Sequence, residues 1–572
     1  MNKKLLIGLL VLILAVGGAC WYVWGKEDLP ALSREWLSIR YGDQPLQLTR
    51  LRPEGILVFG VEEKLNTFPY IHKNLLTSVE TFIDEAIEET SEEDSLRQVL
   101  LTQLKFEKNR IEIALRYPES FVWGEEYAPA KWLPASLYYY HPIRSREDAV
   151  KYLNRLAKID TYIQQYIKYL SSLSEQGYQP HPWIVAHQVQ LIDSLLCQDL
   201  RNNVFYAGFQ RKVNQVNYTY VNENDILTYL ERIIQLLEKE IYPSFLELSR
   251  FLESWNEKGD SSSYYQLTEE AFQQAQYFYT SRIIDGDPEW MAFTDSLNRK
   301  TDKLITRKKE AEDTSLSEAP VQLLESLVRD IRLAEGKADL YTSGLFEEEF
   351  SFYTRVSLLP DYLAYSRGKV QFKYGSLDTV RRSLLYIHPS YVRDDASSAT
   401  QVAYRILSRG EQTAYLYPYY QDSSLTQARR AFSYPAFPQG WGWYMYETVH
   451  SHLDMFAGDQ EEKQVFTEAT YREYVKWKLE WALHQERKPP EEVLNEWEEI
   501  SGLDPNWLTL QIMASLEEPG KISAGLVGWF SWHQLRESAR KKYGRNFVLQ
   551  EFHQLMLAEG MLPFESLAAK VK

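Results

Sequence analysis

Glu447, His450 and His452 lie close together in the chain, and Glu480 and His484 sit one helical turn apart on a single face. Two histidines and a glutamate are the set a catalytic zinc takes from a protein, with one position left for a water whose pKa the metal lowers. If the two segments packed face to face, Glu447, His450, His452, Glu480 and His484 would supply it. The plainer reading is that these are surface or capping side chains, since Glu–His pairs at this spacing need no metal. The two cysteines, Cys20 and Cys197, are too few for a cysteine-based metal site, and Cys197, within DSLLCQDL, reads as a small buried hydrophobe on a helix. YTSG (341–344) and KISAG (521–525) do not build a nucleophile elbow, so a serine hydrolase gains little support.

A second stretch carries more information. Residues 404–447 read YRILSRGEQTAYLYPYYQDSSLTQARRAFSYPAFPQGWGWYMYE. This resembles the metal-binding region of the bacterial zinc-peptidase-like family known as domain of unknown function 885, which runs H-E-x-x-P-G-H-H, a spacer, then E-G-W-A-x-Y. Gly410, Arg429, Arg430, Gly440, Trp441 and Tyr444 keep the scaffold positions. Arg405 stands at the first histidine, Ile406 at the glutamate, Glu411 at the second histidine and Gln439 at the glutamate of E-G-W. Further matches follow in order. EYVKWKLEWALH (473–484) resembles a D-x-G-L-H helix, with Glu480 at the aspartate and His484 kept. PGKISAGLVG (519–528) resembles P-G-Q-A-x-x-Y-K-x-G, with Ala514 upstream in place of an arginine and Gly525 in place of the tyrosine. KKYGRNFVLQEFHQLMLAEGMLPFESL (541–567) resembles the family's terminal segment, with His553 in its F-H-d pattern.

The resemblance implies a metallopeptidase-like helical fold and, for this chain, a lost metal. A guanidinium has no lone pair for zinc, so Arg405 is no ligand. Ile406 cannot act as general base, and Gln439 is at most a weak neutral ligand. Ala514 and Gly525 lack groups that would hold a substrate carboxylate or polarise the scissile carbonyl. The expectation is therefore no catalytic residue and no cofactor, with zinc at relocated ligands as the alternative. Arg405 and Glu411 replace two positions that would converge on one ion, so an ion pair between them is expected. HPSYVRDD (388–395) offers another register, with His388, Asp394 and Asp395, but Pro389 would occupy the base position. Sliding E-G-W toward Glu447 puts Trp441 at a ligand position. Neither restores a complete site.

These residues need a large scaffold. The chain has 572 residues, 44% hydrophobic and 25% charged, enough for a sizeable core. Its formal charge of −17 argues against nucleic acid, which requires a basic footprint. The 16 Trp, 40 Tyr and 24 Phe read first as rings filling gaps between long helices, and second as a groove stacking ligands. Residues 145–177 and 222–255 carry helical periodicity, with Ser145 as a start, Gly177 as a stop and Pro243 as an interruption. Only 55–61 and 370–375 read as strand. The fold class is mainly α: a large multi-helix metallopeptidase-like body with minor β, preceded by one N-terminal membrane helix. The expected divisions are 1–24, 25–320 and 321–572, with 308–320 as linker.

Lys3 and Lys4 precede an uncharged run, Leu5 to Trp24, which as a helix spans about 30 Å and suits a bilayer. Trp21, Tyr22 and Trp24 suit the outer interface. The alternative is a lipoprotein signal with acylation at Cys20. Both place the body outside the cytoplasmic membrane. Three functional classes follow: a degenerate peptidase-like protein binding a peptide or protein partner through its cleft, an active metallohydrolase with relocated ligands, or a structural envelope protein acting through its surface.

Overall fold

The computed structural model describes residues 29–41, 73–88, 95–214, 222–258, 267–305, 320–346, 352–373, 382–388, 401–421, 432–451 and 459–572. The expected membrane helix, Cys20, strand 55–61, linker residues 308–319, Asp394, Asp395, Arg429, Arg430 and His452 lie outside them. Among the described residues no helix is long and apolar enough to cross a membrane.

The fold is mainly helical. The first part contains α1 (Leu29–Tyr41), α2 (Lys73–Glu88), α3 (Ser95–Arg116), α4 (Pro129–Tyr139), α5 (Arg146–Leu156), α6 (Ile159–Glu175), α7 (Pro182–Leu196), α8 (Val204–Val213), α9 (Glu223–Leu236), α10 (Tyr242–Lys258), α11 (Glu269–Thr280) and α12 (Pro288–Ile305). After α13 (Pro320–Thr342) come β1 (Tyr353–Leu358), α14 (Asp361–Arg367), β2 (Val370–Lys373) and β3 (Arg382–Ile387). The remainder is α15 (Glu411–Gln421), α16 (Ala436–Ser451), α17 (Gln460–His484), α18 (Pro490–Ser501), α19 (Pro505–Glu517), α20 (Ala524–Tyr543), α21 (Leu549–Leu557) and α22 (Phe564–Val571). The strands form one small sheet in the order β1-β3-β2, with β1 parallel and β2 antiparallel to β3. Of the fragment expected at 370–375, Val370–Lys373 is strand, whereas YTRVSL and RSLLYI were not anticipated.

Local chemistry explains the helix boundaries. Ser145 caps α5 by accepting from the Asp148 amide, as its position predicts. Residues 145–177 nevertheless form two helices, broken at Ala157–Lys158, and Gly177 lies beyond α6 in left-handed geometry. Pro243 does not end its helix. The π turn Leu237–Ile241 widens the spiral just ahead of α10, so the proline sits in a first turn that needs no amide from it. Cys197 is exposed rather than buried, because it caps the C-terminus of α7 where the chain leaves the core.

Two large apolar cores divide the body. One gathers α4 to α10 with Leu359, Tyr362, Leu363 and Tyr386. The other gathers α16, α17, α20, α21 and α22 with Phe106, Phe121, Ala275 and Trp290. Trp290, Trp441, Trp529 and Trp532 are fully buried in it, which is the gap-filling role of large rings. Helices α16 and α20 cross at backbone distance. A Cβ on Gly528 would lie 1.9 Å from the Ala436 carbonyl oxygen, and one on Gly440 would lie 2.2 Å from the Gly528 carbonyl carbon. Only glycine permits that approach.

Candidate functional site

The stretch at 401–411 begins in a π turn, Val402–Ile406, and bends back at Ser408, whose φ is +44°. The bend is pinned from both sides. Ser408 Oγ donates to Asp339 at 2.6 Å, Thr413 Oγ1 donates to the Ser408 carbonyl at 2.9 Å, and Trp441 Nε1 donates to the Arg409 carbonyl at 2.8 Å. A Cβ at Gly410 would fall 2.0 Å from the Arg405 carbonyl oxygen. The retained Gly410 and Trp441 thus hold a tight turn whether or not any metal chemistry is done there.

This turn brings Arg405 back onto α15. Arg405 Nη1 lies 3.6 Å from Glu411 Oε1, and the Arg405 guanidinium covers the Trp443 ring at 5.1 Å from its centroid. Burial raises the Glu411 carboxyl above its usual range, Arg405 offsets part of that rise, and the nearby Glu473 adds to it. Glu473 itself pairs with Lys476. Four charges therefore converge: Arg405, Glu411, Glu473 and Lys476. Gly525 and Gln439 border the same place, since a Cβ on Gly525 would stand 3.2 Å from Glu473 Oε2, 3.4 Å from Trp443 Nε1 and 3.5 Å from Gln439 Oε1. Ile406 turns the other way and is buried in a small apolar cluster with Ile331, Leu385 and Ile387 beneath the sheet. Glu473 and Lys476 are the members that sequence reasoning missed. Both stand on α17, about sixty residues further along the chain, so local spacing carried no signal for them.

Glu480 and His484 form a separate arrangement. Glu480 is fully buried and accepts from Ser523 Oγ, from the Gly520 amide at 2.8 Å and from Ser515 Oγ at 3.3 Å. Burial pushes its carboxyl up to about 7, and those hydrogen bonds restrain the rise. His484 stacks on Phe272 at 5.0 Å, and burial lowers it to about 4. Its Nε2 lies 3.2 Å from the Ser515 carbonyl, which only accepts, so Nε2 carries the proton. The pair thus locks the α19–α20 turn onto α17. Ala514, half-buried on α19, contributes its carbonyl to the Glu518 amide.

The remaining candidates are engaged apart from one another. His450 faces Glu462 at 3.3 Å and stacks on Phe466 at 4.3 Å. Glu447 bonds to His533 and receives Trp529 Nε1 at 2.9 Å. His553 is buried, donating from Nδ1 to the Leu345 carbonyl while Tyr444 donates to its Nε2. His388 pairs with Asp361. Among the described residues no group of three or more His, Cys, Asp or Glu side chains is placed to hold a metal ion.

One charged seam escaped the sequence entirely. Glu517, at the end of α19, bonds to Lys131 of α4, to His187 Nδ1 at 2.8 Å and to Gln188 Nε2 at 2.7 Å of α7. Burial works against its charge, but Lys131 and His187 outweigh it and hold the carboxyl at about 2. Beside it, Glu518 accepts from Tyr279 at 3.1 Å and Lys521 at 2.7 Å, and Arg367 pairs with Glu125 at 2.6 Å.

Fold and site together define a large mainly helical protein whose turn at 405–411 carries a charge cluster. Residues 416–571 match the model of the family described as a bacterial protein of unknown function, DUF885, so the family resemblance is borne out over that region. Two solved structures share the fold along nearly the whole chain, both described as a "putative lipoprotein". That from Colwellia psychrerythraea is 16% identical, with a TM-score of 0.81 over 94% of this chain and 98% of its own. That from Shewanella oneidensis is 13% identical, with a TM-score of 0.65 over the same shares, 94% and 98%. No curated protein matches the chain.

Proposed function

We propose that this chain is a metallopeptidase-like protein that has exchanged its metal for an ion cluster, and that it binds a peptide or protein through the relict cleft. The observation that carries the reading is the Arg405–Glu411 pair at two positions that resemble metal ligands. Zinc does not fit these residues. A cation occupies one ligand position, Ile406 turns into an apolar cluster, and the Glu411 carboxylate is already engaged. The description of two structural neighbours as lipoproteins, together with Lys3 and Lys4 ahead of an apolar run, supports a body tethered outside the cytoplasmic membrane. The tether is either that run as a membrane helix or a lipid on Cys20.

Elemental analysis of purified residues 26–572, with and without added zinc, tests this together with thermal melts. The expected result is no stoichiometric zinc and no gain in melting temperature. Stoichiometric zinc would overturn it and restore the metallohydrolase reading, with ligands sought among Glu447, His450, His452, Glu480 and His484.

A further inference from the structure

A cavity of about 440 Å³ opens between α12, α16, α17 and α20. It is lined by Leu297, Glu447, Phe466, Thr467, Thr470 and Trp529, with the exposed Arg299 among them. Of the candidate metal positions Glu447 lines it, whereas Arg405, Ile406, Glu411, Gln439, Glu480 and His484 do not.

The hydrogen-bonding capacity of this lining is one-sided. Thr467 Oγ1 donates to the Lys463 carbonyl at 2.7 Å, and Thr470 Oγ1 donates to the Thr467 carbonyl at 2.9 Å. Each hydroxyl has one proton, so both have only lone pairs left to offer. Glu447 accepts from His533 and Trp529 on the same oxygen, Oε2, which leaves Oε1 for a ligand. The state of His533 follows from its other neighbour. Arg536 Nη2 lies 3.3 Å from His533 Nδ1, and a guanidinium can only donate, so Nδ1 is bare and Nε2 gives its proton to Glu447. Burial opposes the Glu447 charge, yet His533, the hydrogen bond from Trp529 and the nearby Arg536 guanidinium together keep the carboxyl below its usual range. Apart from Arg299, whose Nε is used on the Asp295 carbonyl at 3.3 Å, the polar lining consists of acceptors set among apolar and aromatic side chains.

We propose that this cavity binds a primary ammonium group, with the Glu447 carboxylate as its counter-ion, Thr467 and Thr470 as further acceptors and Phe466 as the apolar wall. Apart from the exposed Arg299 the polar lining only accepts, which favours a donor-only group, and an ammonium has three donors and no acceptor. The same chemistry reaches the site from a free amine or from a lysyl side chain of a peptide. This goes beyond the reading of the 405–411 turn, since it does not need the Arg405–Glu411 pair.

Calorimetric titration of the purified body with 1,5-diaminopentane, with a Gly-Lys-Gly tripeptide and with acetate tests the proposal. At least one of the two amines is expected to bind and acetate is not; which amine binds more tightly separates the free from the peptide source. Glu447→Gln is expected to weaken binding about tenfold or more, the loss of a charge-assisted hydrogen bond. Thr470→Val, which leaves the Glu447–His533 contact in place, is expected to weaken it about threefold and decides the matter if Glu447→Gln does not fold. Binding of acetate in preference to both amines, no amine binding at all, or unchanged amine affinity in a folded variant would overturn it.

Discussion

Glu480 and Glu517 are both buried to within 1% of full enclosure, and both fasten the segment that joins α19 to α20. Their charge states diverge. Glu480 receives only hydroxyl and amide donors, and its carboxyl rises to about 7. Glu517 faces Lys131 and His187, and its carboxyl falls to about 2. Burial penalises a carboxylate in both places, and the difference lies in whether a cation shares the enclosure. Neutral donors satisfy lone pairs without returning the solvation that a charge loses. The 405–411 turn falls between these cases. Arg405 softens the effect of burial on Glu411 without reversing it, because Glu473 brings a second negative charge.

The largest expected effect comes from taking the cation away from Glu517. Lys131→Met leaves a buried carboxylate with His187 and Gln188 alone and should cost about 3–5 kcal/mol in urea unfolding. A cost near zero would mean that cations do not set the contrast. Glu480→Gln should do the opposite. A carboxyl raised in the folded state contributes fully below the unfolded value of 4.5, and that contribution is lost as pH rises through about 7. At about pH 8.5 the amide variant should therefore be more stable than the parent by about 1–3 kcal/mol, with the two alike near pH 5. Melting curves across this range that run parallel would break the comparison. Glu517, whose value is lowered, stabilises above 4.5 and loses that contribution as pH falls toward about 2, so the parent should weaken at both ends. The smallest effect is expected at the turn. A double-mutant cycle of Arg405→Met and Glu411→Gln should return a coupling of about 1 kcal/mol, because the pair is 3.6 Å apart and partly open to solvent.

The C-terminal motifs were legible because glycines and rings leave strong local signals. Gly410, Gly440, Trp441 and Tyr444 occupy positions where backbone contact or a buried ring is demanded, and the structure uses each in that way. The Arg405–Glu411 contact was legible because both stand at positions that resemble converging ligands. The strands YTRVSL and RSLLYI were not, since segments of six residues are too short for periodicity to separate strand from helix. Nor was the Glu517 seam, whose partners stand far away in sequence on α4 and α7.

The sequence by itself determined the mainly helical class and the family resemblance. These depend on residue type and local spacing, which chain order preserves. Only the tertiary structure decided that Glu473 and Lys476 join Arg405 and Glu411, that Glu447 pairs with His533 beside a cavity, and that Glu480 and Glu517 differ in charge. A buried carboxylate takes its properties from whichever side chains the packing of distant helices sets against it, and that packing is a property of the whole fold.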